Sequence, residues 1–463
     1  MEFAGKNILV CGMARSGISA ALLLKSQNAA VVAQDLKPRE ALYGAADELE
    51  KNGITVVTGI DPSALSDKTD MIILSPGVPT DAPFLMTAAQ KNIPVLSELE
   101  LGFLFCAAPV IAITGTNGKT TTTALTGEII KKKYRAKILG NIGTAFTSEA
   151  INLTPDDAAV LEVSSFQLEH VNQFKPKVAV VLNITPDHLD RHKTIENYIA
   201  IKERVFKNQT SGDFLILNYD DPVCRGMAGK AASQTIFFSR ARALRRGVFI
   251  DGGAVVSNVD GEYVEIMKTD EIQIPGDHIL EDILASCAAA CCMGVPAGAI
   301  ADAVRAFRGV AHRLEHVAVF NGVDYFNDSK ATNPDAAIKG LAAMKRPVVL
   351  ICGGYDKHIG FHDWTARFNE KVRLAVLMGA TAEKIAAACE INNFHNYRTA
   401  RSLKEAVEIC AITARPGDAV LLSPACASWD MFRDFEERGR LFCEYARALT
   451  EIPQHETGNT CNR

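Results

Sequence analysis

Several signals are missing from this chain, and each absence removes a class of function. No apolar run approaches the roughly 18 residues of a membrane-spanning helix, so no membrane span is expected. Positive charge is not in excess: Lys and Arg number 49 against 54 Asp and Glu, for a formal net charge of −5. That balance offers no footprint for nucleic acid, and the basic runs Lys131 to Arg135 and Arg240 to Arg246 read as solvated surface. The 12 cysteines form no Cys-x-x-Cys pair. Cys11, Cys291, Cys292 and Cys426 sit in apolar contexts and read as buried reduced thiols, not as zinc ligands or a redox pair. The start, Lys6-Asn-Ile-Leu-Val10, reads as a first strand and not as a signal peptide. A cytoplasmic location is expected. No internal repeat or low-complexity stretch is visible.

What remains is a long chain of short strands and helices. Its 463 residues exceed what one hydrophobic core organises, and three domains are expected, at 1–105, 106–310 and 311–463. Short Val/Ile/Leu runs alternate with Ala- and Leu-rich helical segments, the pattern of parallel sheets covered on both faces. The fold class is therefore α/β. Expected strands run Asn7 to Cys11, Val31 to Gln34, Thr55 to Thr58 and Met71 to Leu74, then Val110 to Thr114, Ala158 to Val163, Val178 to Ile184 and Phe214 to Asn218. Residues 233–275, broken by Asp-Gly and Gly-Gly, suggest a small hairpin-rich insertion. An Ala-rich helix is expected near Ala285 to Met293, and Phe307 to Arg313 as the hinge into the third domain. That domain has strands at Val348 to Cys352, Leu374 to Met378 and Ala419 to Leu422. The polar tail from Thr450 is expected to be mobile.

The strongest local signal is Ile113-Thr-Gly-Thr-Asn-Gly-Lys-Thr120, a strand running through a glycine-rich turn into a helix. Glycines let backbone N–H groups crowd phosphate oxygens, and the helix start favours an anion. Lys119 supplies a point charge, and the Thr120 hydroxyl suits Mg²⁺. The strict P-loop pattern is missed, because Ile113 stands where its first glycine belongs. Glu162 ends one apolar strand and His188 follows another. In a parallel sheet both lie at carboxyl ends, where ligands bind, and a carboxylate beside an imidazole can hold a metal between them.

The variant Gly-Thr-Asn-Gly-Lys-Thr-Thr-Thr resembles the Mur ligases and the related folylpolyglutamate synthases. Further motifs follow in Mur ligase order: Leu161-Glu-Val-Ser-Ser-Phe-Gln-Leu168, Asn183-Ile-Thr-Pro-Asp-His-Leu-Asp190, Asn327-Asp-Ser-Lys-Ala-Thr-Asn333 and Leu422-Ser-Pro-Ala-Cys-Ala-Ser428. With Gly140-Asn-Ile-Gly143 and Ser75-Pro-Gly77, they are similar to the D-glutamate-adding branch of the Mur family over nearly the whole chain. The resemblance implies a Rossmann-like N-terminal domain, a central P-loop ATPase-like α/β domain and a C-terminal Rossmann-like α/β domain. It implies a monomeric ATP-dependent amide ligase of peptidoglycan synthesis, acting on UDP-N-acetylmuramoyl-L-alanine and D-glutamate through an acyl phosphate.

The same resemblance assigns residues. Gly115, Thr116, Asn117, Gly118, Lys119, Thr120 and Thr121 would hold ATP, joined by Arg313 and Asp328. Two Mg²⁺ ions would be held by Thr120, Glu162, His188 and Lys202, the last carrying a carbamate. Catalysis would involve Lys119, Glu162, His188 and Lys202. Arg15, Ser16, Asp35, Lys37 and Ser75 would meet the uridine diphosphate, and Asn141 the muramoyl part. Lys330, Thr332, Lys357, Ser428 and Phe435 would meet D-glutamate, whose two carboxylates need separate donors; His188 would also touch substrate.

Two departures stand out. Leu36-Lys37 replaces the Thr-Arg that relatives often place after the second strand. Before the Ala-rich helix the family commonly has Gly-x-His-Asn-x-x-Asn, where this chain reads Gly276-Asp-His-Ile-Leu-Glu-Asp282. Ile279 and Asp282 thus replace two amides, through either a rebuilt nucleotide pocket or a weakened enzyme. If weakened, Ile279→Asn with Asp282→Asn should lower the KM for ATP. The rivals are another Mur ligase, a folylpolyglutamate synthase, and a P-loop regulator or non-adding binding protein. The third domain lacks the Asp-Asn-Pro-Arg of diaminopimelate-adding enzymes, and the N-terminal domain counts against the folate enzyme.

Overall fold

Three sheets organise the chain in a computed structural model that describes residues 2–42, 44–274, 277–356 and 360–451. Lys357 and the tail beyond residue 451, both named in the sequence reading, lie outside the described residues. The chain divides into two compact units, Met1–Phe307 and Arg308–Arg463. No helix among the described residues is long and apolar enough to cross a membrane.

The first sheet contains β1 (Asn7–Cys11), β2 (Ala30–Asp35), β3 (Thr55–Thr58), β4 (Met71–Leu74) and β5 (Val95–Ser97), in the order β3-β2-β1-β4-β5. All pairs are parallel, so the chain order reverses between β1 and β4, where a doubly wound sheet opens its ligand crevice. Gly12 follows β1 and Ser75 follows β4, and the Ser75 hydroxyl donates to the Gly12 carbonyl at 2.9 Å. Helix α1 (Arg15–Ser26) begins beside this junction.

Helix α2 (Glu98–Phe105), capped by the Ser97 hydroxyl, ties this sheet to the next. Its Glu100 carboxylate accepts the backbone N–H groups of Asn172, Gln173 and Phe174 at 2.9, 2.7 and 3.0 Å. The Thr147 hydroxyl donates to Ser19 at 2.8 Å, and Arg15 donates to the Gly143 carbonyl.

The central sheet has nine strands: β6 (Val110–Thr114), β7 (Arg135–Gly140), β8 (Asp157–Glu162), β9 (Val178–Val181), β10 (Phe214–Asn218), β11 (Gln234–Ser239), β12 (Gly247–Asp251), β13 (Ala254–Ser257) and β14 (Val264–Lys268). Their order is β14-β13-β12-β11-β10-β9-β6-β8-β7. The expected hairpin-rich insertion is instead continuous with this sheet: β11 pairs parallel with β10 and β12 parallel with β11, and only the β12–β13 and β13–β14 pairs are antiparallel. Every residue of β6 is buried, as a strand covered by helices on both faces requires. Helix α3 (Lys119–Ile130) shares one hydrophobic cluster with helix α5 (Asp277–Cys292), whereas the apolar residues of helix α4 (Ile195–Glu203) belong to another. The small side chains Ala285, Ser286, Ala288 and Ala289 of α5 let it press against the threonine-rich face of α3, where Ser286 donates to the Thr122 carbonyl at 3.3 Å.

The unit Arg308–Arg463 contains β15 (Glu315–Phe320), β16 (Val323–Asn327), β17 (Val348–Gly353), β18 (Val372–Met378), β19 (Tyr397–Thr399) and β20 (Ala419–Leu422), ordered β15-β16-β20-β17-β18-β19. Only the β15–β16 hairpin is antiparallel. Helix α6 (Phe435–Glu451) packs on one face, and its Arg438 is wholly buried.

Candidate active site

The phosphate loop turns between β6 and α3 because Gly115 and Gly118 take φ of +144° and +85°, values that side chains rarely accept. The Thr116 N–H donates to the Asn183 carbonyl at 2.9 Å, and the Asn117 N–H donates to the Asn183 side-chain oxygen at 2.9 Å. The Thr116 hydroxyl donates to the Thr185 carbonyl at 3.1 Å and accepts the Thr185 N–H at 3.0 Å. The end of β9 therefore clamps the loop, which is why the strand stops at Val181 and does not reach Ile184 as expected. Lys119 begins α3, and its ammonium donates to the carbonyls of Gly115 and Thr116 at 3.0 and 2.8 Å. A lysine ammonium at the start of a twelve-residue helix is suited to an anion. Thr120 and Thr121 are buried behind it.

Glu162 closes β8 one strand away and is 2% exposed. Its Oε1 accepts the Asn141 amide at 2.8 Å, whereas Oε2 is buried without a hydrogen-bond partner among the described residues. A buried carboxylate oxygen with no donor is costly, and a cation is the group that would satisfy it. His188 is exposed, in a left-handed conformation at φ +51°, with its ring edge-on to Phe166 at 4.8 Å. No group of three or more His, Cys, Asp or Glu side chains poised for a metal occurs among the described residues. Such a site therefore needs ligands of another kind beside Glu162 and His188.

Lys202 on α4 is 1% exposed. Its amine donates to the Gly115 carbonyl at 2.9 Å and to the Thr114 hydroxyl at 3.3 Å, and lies 4.7 Å from the Tyr198 ring centre. Burial, reinforced by the neighbouring Lys119 ammonium, pushes its pKa well below the ordinary lysine value. Lys202, Lys119 and the phosphate loop thus form one cluster. Tyr198, whose hydroxyl lies 3.3 Å from that of Thr116, is pushed up to about 12 by burial. Asn183 and Thr185 stand inside a motif singled out in the sequence, yet nothing in its spacing alone reveals that they and Tyr198 hold the loop.

The two family departures occupy definite places. Ile279 is buried in the core with Ile283 and Leu284. Asp282 is buried and accepts the Thr122 hydroxyl at 3.1 Å, and a Cβ on Gly118 would collide with its carboxylate. Asp282 therefore packs directly against the phosphate loop.

At the first sheet's crevice, Asp35 accepts the N–H groups of Met13 at 2.8 Å and Lys37 at 3.0 Å, fixing both turns. Arg15 and Lys37 are exposed, Ser16 is half-buried, and Arg15 reaches the Gly143 carbonyl, two residues from Asn141.

In the second unit, Asp328 follows β16 and Ser423 follows β20, and the Ser423 hydroxyl donates to Asp328 at 2.8 Å. Burial lifts the Asp328 carboxyl to about 7, against the opposing pull of Ser423 and Arg313. The Lys330 ammonium lies 5.7 Å from the Phe435 ring centre. Ser428 is buried, Thr332 half-buried and Arg313 exposed. Arg438, absent from the sequence reading, joins two motifs: it donates to the Ser329 hydroxyl and carbonyl at 3.0 and 2.9 Å and to the Cys426 carbonyl at 3.1 Å. Eleven cysteines among the described residues are free thiols; Cys11 and Cys426 are buried as expected, whereas Cys291 and Cys292 are half-buried.

Comparison with known proteins accounts for this arrangement. Residues 6–97 match the Mur ligase MurD-like N-terminal domain, 113–290 the Mur ligase middle domain, and 312–426 the Mur ligase glutamate ligase domain. A UDP-N-acetylmuramoylalanine--D-glutamate ligase of Pelotomaculum thermopropionicum is 46% identical over 97% of this chain and 99% of its own length. One of the same name from Thermoanaerobacter sp. (strain X514) is 45% identical over 98% and 100%. Among solved structures, the UDP-N-acetylmuramate-alanine ligase MurC of Thermotoga maritima superposes with a TM-score of 0.59 at 18% identity, covering 96% of this chain and 99% of its own. A MurF ligase of the same organism, in complex with ADP, gives 0.55 at 16% over 91% and 95%. With three domain families matched in order and relatives identical at nearly half of all positions, the chain belongs to the Mur ligase family.

Proposed function

We propose that this chain is an ATP-dependent ligase that joins D-glutamate to UDP-N-acetylmuramoyl-L-alanine in peptidoglycan precursor synthesis, acting as a cytoplasmic monomer. The observation that carries this reading is the near-full-length identity of 46% to a relative bearing that activity in its name. In this assignment residues 1–105 take the uridine diphosphate, through Arg15, Ser16, Lys37 and Ser75, with Asp35 holding the turns and Asn141 toward the muramoyl part. Residues 106–310 take ATP: the start of α3, from Gly118, and the Lys119 ammonium bind its outer phosphates. Residues 311–463 supply Arg313 and Asp328 to the nucleotide and Lys330, Thr332, Lys357, Ser428 and Phe435 to D-glutamate.

The alanyl carboxylate attacks the γ-phosphorus in line, forming a new P–O bond as the bond to the ADP oxygen breaks. Lys119 stabilises the charge spreading over the transferred oxygens. The D-glutamate amine then attacks the acyl phosphate carbon, phosphate leaves with the C–O electron pair, and the amine's proton passes to solvent. Mg²⁺ held by Thr120, Glu162, His188 and a carbamate on Lys202 would neutralise phosphate charge. The orphaned Glu162 oxygen fits such an ion. A neutral, buried Lys202 amine fits carbamylation, which only the unprotonated form undergoes.

ADP release is the test. It should require the UDP-linked precursor and D-glutamate together, and L-glutamate should fail, because a misplacement of the amine on the order of 1 Å costs about 10²-fold. Comparable turnover with L-glutamate or diaminopimelate would refute the assignment.

A further inference from the structure

Arg191 lies in a single helical turn, Leu189–His192, that cannot hold itself. Four residues are far below the length at which a helix is stable alone, and both flanking residues, His188 and Lys193, adopt positive φ of +51° and +69°. The C-terminal end is held by the His192 ring, 3.0 Å from the Ser165 hydroxyl. The guanidinium of Arg191 supplies the other anchor, and it does so across two sheets. Its Nε donates to Glu169 Oε1 at 3.0 Å and its Nη2 to Glu169 Oε2. Its remaining donors reach the carbonyls of Pro76 at 3.0 Å and Val78 at 2.8 Å, in the turn that follows β4 and begins with Ser75. Its flat face lies 4.3 Å from the centre of the Phe166 ring, and that ring meets His188 edge-on. Four N–H donors of one rigid plane, with Phe166 as intermediary, thus link the proposed precursor turn to the proposed metal-binding histidine.

We infer that Arg191 is a positioning residue that couples occupancy of the 75–78 turn to the order of the His188 segment. Filling the precursor crevice fixes the Pro76 and Val78 carbonyls. Those carbonyls fix the guanidinium, and the guanidinium fixes Phe166 and His188. The inference rests on the proposed substrate, since it is the UDP-linked precursor that would fill this crevice. Lysine at 191 keeps the charge but cannot bond Glu169 and both carbonyls at once.

The test is amide hydrogen exchange on the full chain, without nucleotide or metal, before and after addition of UDP-N-acetylmuramoyl-L-alanine. In the wild type the precursor should slow exchange at 12–17, at 75–78 and also at 187–193. In Arg191→Lys the slowing at 187–193 should fall at least tenfold while that at 12–17 persists. Phe166→Leu, which cuts only the ring stack, should keep the slowing at 75–78 and lose it at His188. Steady-state kinetics should agree: Arg191→Lys should raise the precursor KM and the half-saturating Mg²⁺ concentration, with the ATP KM unchanged within about twofold. An undiminished response of 187–193 in both variants, or none there in a wild type that is protected at 12–17, would overturn the coupling. No protection anywhere in the wild type would instead overturn the substrate assignment, and the coupling with it.

Discussion

At Lys202 burial weighs against the charged amine and so against stability. The folded chain favours its neutral amine, whereas the unfolded chain titrates near the ordinary lysine value of 10.5. The unfolded state therefore binds more protons between the lowered folded value and 10.5, and stability rises with pH across that window. Lys202→Met, compared in CO₂-free buffer at pH 7, should remove this burden and raise the thermal midpoint by about 2–4 °C for each kcal/mol regained, while abolishing turnover. An unchanged or lower midpoint would contradict the buried-amine account. Lys202→Arg should also be inactive and beyond rescue by acetate or formate, because a guanidinium offers no oxygen ligand. Asp328 has the opposite sign. Its folded carboxyl titrates at about 7 against an ordinary 3.8, so the folded state holds its proton longer, and stability is lost as pH rises from about 4 through 7. Asp328→Asn should flatten that slope. Denaturation midpoints at pH 5 and pH 8 should show the variant gaining on the wild type at the higher pH, and a constant difference would contradict it.

At the scale of elements, the loop between β6 and α3 is confined from two sides. Asp282 of α5 fills the space over Gly118, which already needs a φ of +85°. Gly118→Ala should therefore weaken Mg-ATP binding by at least tenfold, about 1.4 kcal/mol, in calorimetric titration. Affinity within twofold of wild type would show the turn to be unconstrained. Ile279→Asn places an amide in an apolar core and should cost on the order of 2–4 kcal/mol of stability. Restoring family amides at both positions is thus a poor route to tighter ATP binding, and the packing favours a rebuilt pocket. Asp282→Asn alone keeps an acceptor for Thr122.

Legibility followed the same physics. Strands such as β6 and β17, apolar on both faces, and the glycine-bearing phosphate loop were readable from residue types alone. The strand β7, Arg135–Gly140, was missed because its exposed Arg135 and Lys137 break the apolar run. The edge hairpin β15–β16 was missed because His316, Val319 and Asn321 are solvent-facing and give no continuous core signal. Loop clamps such as Asn183 and Thr185, and the buried Arg438, depend on contacts distant in sequence and leave no local period.

For the whole molecule, each of the three sheets has glycine, serine or aspartate just beyond the carboxyl ends of inner strands: Gly12 and Ser75, Gly115 and Gly118, Asp328 and Ser423. Fold alone does not name a reaction. The most direct measurement is the fate of a heavy-oxygen label in the alanyl carboxylate of UDP-N-acetylmuramoyl-L-alanine, incubated with the chain, Mg-ATP and D-glutamate and followed by mass spectrometry. The account predicts a UDP-linked product heavier by one glutamyl residue, with one labelled oxygen delivered to inorganic phosphate, as an acyl phosphate requires. ADP formed without that product, or a product formed with unlabelled phosphate, would contradict it.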